Sequence, residues 1–266
     1  MKVVKPIQFN SFEFERASEA TYDSSAGVLT TAAIDELRFG YNPDTLVSIG
    51  PIFEQAATNT LPYANDFSEW TAQNSSSVIA VDVLVENPDE STPAQSMDLD
   101  GTSQWIIREN IGVISGQYCF SIFVKPKSLG SGGLSSLTLT INGGPGYAIF
   151  ARFNTNIATP SVVYSGGPVT TSIKKRADGW IRVSIGGTLP SSALPYFAWI
   201  YGDDETLSGG DGNGLHYLWG AQIEAGTTTP TSFIYTTGTA ATRAADVQVI
   251  SPPNLVTSNI AEDDNP

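Results

Sequence analysis

The stretch "LHYLWGAQIEAG", Leu215–Gly226, decides how the rest of the chain is read. Its residues alternate as a strand does, with Leu215, Tyr217, Trp219, Ala221 and Ile223 on one side. A period of two over this length, rich in large aromatics, indicates a β-strand with a buried face rather than a helix. Gly220 inside it permits close packing or a bend. On this reading Tyr217, Trp219 and Ile223 fill the interior of a sandwich, and Glu224 and Gly226 begin the exit.

The same alternation recurs upstream. Ile79, Val81, Val83 and Val85 share a face in "SSVIAVDVLVEN", as do Tyr118, Phe120, Ile122 and Val124 in "GQYCFSIFVKP". Leu137, Leu139 and Ile141 do so in "SSLTLTIN", and Tyr147, Ile149, Ala151 and Phe153 in "YAIFARFN". "GWIRVSIGG" sets Ile181, Val183 and Ile185 opposite Trp180, Arg182 and Ser184, and "YFAWIYGD" sets Phe197, Trp199 and Tyr201 opposite Tyr196, Ala198 and Ile200. "SMDLDG" and "SQWIIRE" are further strand candidates.

Glycine-rich turns such as "LGSGG", "NGGPG" and "SGGDGNG" separate these runs. Short strands with one apolar face and tight turns give an all-β fold, an antiparallel β-sandwich of jelly-roll type resembling lectins and carbohydrate-binding modules. The expected organisation is an extended N-terminal arm over 1–60, the sandwich over 61–247, and an acidic, proline-rich C-terminal tail over 248–266. "TTAAID" and "PIFEQAATN" are the best helix candidates, both short. A faint echo between "ERASEATY" near the start and "TRAADV" near the end is read as chance.

Charge and composition exclude several classes. The 266-residue chain carries a net charge of −14, which disfavours nucleic acid and anionic membrane surfaces. "MKVVKPIQFN" lacks an apolar leader core and no apolar run approaches a membrane span, so synthesis in a cytoplasm without membrane insertion is expected. His216 and Cys119 are the sole histidine and cysteine. That excludes a disulfide within the chain and disfavours Ser-His-Asp, Cys-His and zinc chemistry. Cys119 reads as a buried small hydrophobe and His216 as a strand residue facing solvent or an interface.

Two binding sites remain as candidates. Trp180 and Arg182 alternate on a polar face, and with Tyr196 they supply the aromatic and hydrogen-bonding groups a glycan needs. Asp203, Asp204, Asp211 and Asn213 in "YGDDETLSGGDGNG" supply hard oxygen ligands for a calcium ion, the one cofactor considered.

A resemblance covers about residues 16 to 247. Trp219–Gly226, Ser232–Ile234, Thr237, Gly238 and Thr242–Asp246 resemble a recurrent segment of phage tail and tail-fibre proteins. Arg16, Ser18, Ala20–Tyr22, Arg38, Phe39, Gly50, Glu54, Thr58, Asn59, Phe67 and Trp70 resemble the entry arm of the same proteins, and "GQYCFSIFVKP" and "DGWIRVSI" correspond to their middle. The resemblance implies a structural virion protein on a tail fibre, tail tip or baseplate. It implies other virion proteins and further copies of the chain, a trimer favoured, as partners, with a host surface glycan as a possible ligand and no transferred active site. The alternatives are a carbohydrate-binding or polysaccharide-degrading module, or a head decoration protein. Arg16, Glu54, Trp219, Glu224, Arg243 and Asp246 are the motif residues expected to hold the architecture. Arg243 and Asp246 would bond the returning chain, with Glu54 or Glu224 as partner.

Overall fold

The computed structural model describes residues 12–72, 77–99, 104–127, 135–144, 146, 148–204 and 216–250. Among them no α-helix occurs. The arm carries β1 (Phe12–Glu15), β2 (Ala20–Asp23), β3 (Leu29–Ala32), β4 (Phe39–Tyr41), β5 (Ser48–Pro51) and β6 (Ala57–Asn59). After a 3-10 turn at Phe67–Glu69 come β7 (Thr71–Ala72), β8 (Ser77–Glu86), β9 (Pro93–Leu99), β10 (Gln104–Gly112), β11 (Gly116–Pro126) and β12 (Ser135–Asn142). Then follow β13 (Ala148–Asn154), β14 (Ser161–Gly166), β15 (Val169–Lys175), β16 (Ile181–Leu189), β17 (Tyr196–Asp204) and β18 (His216–Ala225). Two short strands close the chain, β19 (Ala241–Arg243) and β20 (Val247–Ile250).

Two six-stranded antiparallel sheets face one another, in the orders β14-β13-β12-β17-β10-β7 and β15-β16-β11-β18-β9-β8. The chain passes repeatedly from one sheet to the other, giving a jelly-roll sandwich. The alternating residues do what their period requires. Phe120, Ile122, Val124, Ile181, Val183 and Ile185 from one sheet meet Leu137, Leu139, Ile141, Ala151, Phe153, Ala198 and Ile200 from the other. β14 and β15 have no counterpart among the expected strands; "VTTSIKK" is half-buried at a sheet edge and too polar to announce itself.

A third layer lies on the second sheet. The arm and the link after β18 cover its outer face, enclosing a second core of Leu29, Ala64, Ala94, Phe123, Trp180, Tyr217, Trp219 and Phe233. This explains why His216–Glu224 is buried without a break. Both faces of β18 are covered, a situation antiparallel strands usually avoid. His216, expected at a surface, is enclosed; its Nε2 lies 2.8 Å from the Thr155 hydroxyl, and burial pushes its pKa down to about 3.

Tyr217 and Trp219 therefore do not share a face with Ala221 and Ile223. Against β11 the register runs Phe123↔Trp219 and then Ser121↔Gln222, so β18 carries one extra residue there. Gly220, at φ +64°, sits at this bulge. Upstream of it Trp219 points to the outer core; downstream Ala221 and Ile223 point between the sheets. The bulge also changes the edge partner. His216–Leu218 pair with β9, whereas Ala221 donates to the Ala64 carbonyl at 2.9 Å and Ile223 to the Asn59 side chain at 3.0 Å.

The helix candidates are extended. "TTAAID" becomes the end of β3 and a turn with Asp35 at φ 59°. In "PIFEQAATN" the Glu54 amide donates to Asp246 and the Gln55 carbonyl accepts from Arg243, so tertiary bonds take the groups a helix would use.

A Cβ on Gly220 would stand 2.8 Å from the Phe123 ring and 3.2 Å from the Phe233 ring, besides opposing the positive φ. Gly220→Ala should lower stability by about 2–3 kcal/mol. Denaturant unfolding showing a loss under about 0.5 kcal/mol would refute the bulge as the element that turns Trp219 outward.

Candidate functional site

Arg16, Arg38 and Glu54 converge on one buried carboxylate. Asp246 accepts from the Arg16 guanidinium at 3.2 Å, from Arg38, and from the Glu54 amide at 2.8 Å. The side chains of Arg16, Arg38 and Asp246 are wholly inaccessible. Arg38 also donates to the Glu54 carboxylate and to the Ser232 hydroxyl, both at 2.9 Å, and to the Thr21 carbonyl. Arg16 spends its remaining donors on carbonyls of Ser18 and Ala33. Arg243 donates to the Gln55 carbonyl at 2.7 Å and lies 3.6 Å from Glu54.

This cluster joins the arm to the C-terminal return, as expected for Arg243 and Asp246, with Glu54 as partner. Glu224 is not part of it. It accepts from the amide and hydroxyl of Thr231 and so holds the link against β18. The echoed stretches pack on one another: Arg16 pairs with Asp246, and the Ala244 amide donates to the Ser18 hydroxyl at 2.8 Å. Two joining residues were matched in the resemblance but given no role there. Asn59 donates to the Ala221 and Ile234 carbonyls, and Gln222 accepts from the Ile234 amide at 2.7 Å.

The expected glycan residues are enclosed, which corrects that assignment. Trp180 is 1% exposed and donates its indole N–H to the Glu86 carbonyl. Arg182 is buried beside it, with Nη1 on the Thr231 carbonyl and Nη2 on the Ser121 hydroxyl. Tyr196 is buried in the main core and donates to the Pro190 carbonyl at 2.7 Å. The alternation of β16 was read correctly, but its polar face is covered by the arm instead of water. For calcium, Asp203 and Asp204 end β17 opposite Gln104 and Ser135–Ser136, while Asp211 and Asn213 lie outside the described residues. Among the described residues no cluster of three or more metal-ligating side chains forms.

An aromatic row stands instead on the outer face of the first sheet. Phe197 and Trp199 on β17 stay partly exposed, their ring centroids 6.3 Å apart. The Arg108 guanidinium lies 4.4 Å from the Phe197 centroid and 5.1 Å from that of Trp199. Across the sheet Trp199 pairs with Arg108 on one side and Thr140 on the other, and Thr140 with Phe150. A cation over partly exposed aromatic faces can stack and hydrogen-bond a polar ring.

The one thiol and the one imidazole of the chain are in unreactive states. Burial and the Glu224 charge push the Cys119 thiol up to about 12, so it is not a thiolate at neutral pH. His216 is enclosed and neutral.

Removing the Asp246 charge would leave the buried Arg16 guanidinium without a counter-charge and Arg38 with Glu54 alone, so Asp246→Asn should destabilise by about 3–5 kcal/mol. Burial alone would raise the Glu54 carboxyl, but the Ser232 bonds and the charges of Arg243 and Arg38 outweigh it and hold the group below its usual 4.5. A depressed acid stabilises the fold above its unfolded pKa, and that contribution is lost as pH falls through the folded value. Glu54→Gln should be less stable at pH 7 and should lose less stability on acidification below about 4.5. Parallel wild-type and variant curves would refute the role.

No family model matches the chain, and no curated protein matches it. Solved structures similar to it include TmCBM61 in complex with beta-1,4-galactotriose, with TM-score 0.39 and 9% identity over 62% of this chain and 97% of that one. Another is the CBM22-1 xylan-binding domain of Paenibacillus barcinonensis Xyn10C, with TM-score 0.38 and 11% identity over 66% and 99%. A third is the Clostridium thermocellum Xyn10B CBM22-1-GH10 structure complexed with xylohexaose, with TM-score 0.40 and 12% identity over 68% of this chain and 30% of that one. No ligand is carried over from these likenesses.

Proposed function

We propose that this protein is a non-catalytic recognition module that holds a glycan on the outer face of its first sheet. The observation that carries the reading is the row of Arg108, Phe197 and Trp199, partly exposed where the opposite sheet is covered. Its outward rings are the surface a sugar can stack on, while Thr140 and Asn142 stand next to them in register. The thiol and imidazole states support a role without covalent chemistry.

The setting we propose is a tailed phage particle, on a fibre, tail tip or baseplate, on the strength of the arm and "WGAQIEAG" motif resemblance. A specific observation favours assembly with further copies of the chain. The arm exposes Phe39 at 52%, Val47 at 63% and Ile49 at 65% along the β4–β5 hairpin, which is more apolar surface than a lone solvated hairpin needs.

On a glycan array, wild type should give defined hits that Trp199→Ala reduces at least about tenfold, a change of about 1.4 kcal/mol in binding. Absence of hits, or hits indifferent to the substitution, would refute the site. In sedimentation, wild type should self-associate and Val47→Asp should shift it towards monomer. A monomeric wild type at concentrations of about 10 μM would refute the assembly face.

A further inference from the structure

Between the arm and the second sheet lies a cavity of about 210 Å³. It is lined by Lys174 of β15, Arg182 of β16 and Arg176 of the turn between them, by Tyr22 and Tyr41 of the arm, and by Thr231 and Ser232 of the link.

Its charges do not balance. Two carboxylates line it, and both are committed: Asp23 to the Arg176 guanidinium, Glu54 to Arg38 and Ser232. Two cations are not. Lys174 makes no hydrogen bond or ion pair among the described residues. Arg182 is buried, yet its two bonded donors reach only neutral oxygens, of Thr231 and Ser121, and its Nε finds no acceptor among the described residues. Glu224, whose charge acts on Arg182, is bonded to Thr231 instead. Moreover, Lys174 and Arg182 are direct cross-strand neighbours. Like charges in that register repel, and a buried cation without a counterion is costly. In a chain of net charge −14 such a surplus of positive charge is a local exception.

We propose that this cavity binds a small carboxylate-bearing ligand of sugar-acid size, its anionic group seated between Arg182 and Lys174 and its ring beside Tyr22 and Tyr41. The anion answers both unpaired cations and removes their mutual repulsion. The volume lies below the roughly 300–1,000 Å³ of sites for drug-sized ligands, so it suits one ring and not a chain of them. Partly exposed tyrosines offer an apolar face with a polar edge. This site is separate from the aromatic row on the other sheet, and either can fail without the other.

The test is calorimetric titration of the full chain at low salt with glucuronate, glucose and inorganic phosphate. Glucuronate should bind at least about tenfold more tightly than glucose, because only it carries the anion. Lys174→Met, at an exposed position with no partner to lose, should weaken glucuronate at least about tenfold while the unfolding transition stays in place. Arg182→Lys, which keeps the charge but not the planar fork, should weaken it as well. A neutral glycan found on the array should not compete. The proposal is overturned if no binding occurs at about 10 mM glucuronate, if glucose or phosphate binds as tightly, if Lys174→Met leaves affinity unchanged, or if the neutral glycan displaces glucuronate.

Discussion

A single carboxylate holds the outer layer of this protein in place. The Asp246 side chain is wholly buried and answers two wholly buried guanidinium groups contributed from separate parts of the arm. Desolvating three charges is tolerable only where their geometry and remaining hydrogen bonds are good. Here Arg16 and Arg38 each place further donors on backbone carbonyls, and the Glu54 amide completes the carboxylate. The cluster consequently fixes where the chain must return after β18. Once it is set, the arm has one place to lie, over the face that carries Trp180, Phe123 and Trp219.

That placement accounts for the unusual texture of the second sheet. Its inner face packs as any sandwich does. Its outer face mixes aromatics with Arg182, Ser184, Gln222 and Glu224, a combination that looks solvated in isolation. Under the arm these polar groups become hooks: Gln222 and Glu224 bind the link, and Arg182 binds the Thr231 carbonyl. The aromatics between them form the grease of a second, smaller core, with Phe123, Trp219 and Phe233 meeting edge to face or tilted.

The sandwich was legible because period-two alternation depends only on the strand itself. Leu137, Leu139 and Ile141, or Ile181, Val183 and Ile185, point inward whatever covers the other side. A contact of the arm with the return was expected from Arg243 and Asp246 with Glu54 or Glu224 as partner, and between those two the sequence could not choose; Glu54 is the one beside Arg243. What failed depended on non-local partners. Trp180 alternates with Arg182 as an exposed residue would, and only the arm buries it. Tyr217 and Trp219 were placed between the sheets because a bulge at Gly220 leaves no mark in a simple alternation. Residues 51–59 have helical composition, but Asp246 and Arg243 claim their backbone. The Arg108–Phe197–Trp199 row was visible as a face of β17, though nothing in the sequence said that Arg108 would stand over it.

The pairing of β1 with β20 has a mechanical side. Phe12 lies opposite Ile250 and Glu15 opposite Val247, so the chain enters and leaves the described fold at one corner of a two-stranded ribbon. Tension drawn between those ends would peel the ribbon rung by rung, since in antiparallel strands joined this way the bonds are loaded in succession. The force would next meet Arg16 and Asp246, one residue beyond Glu15 on one strand and one before Val247 on the other. The ribbon thus acts as a sacrificial zip, and the buried ion pair as the stop at which it jams.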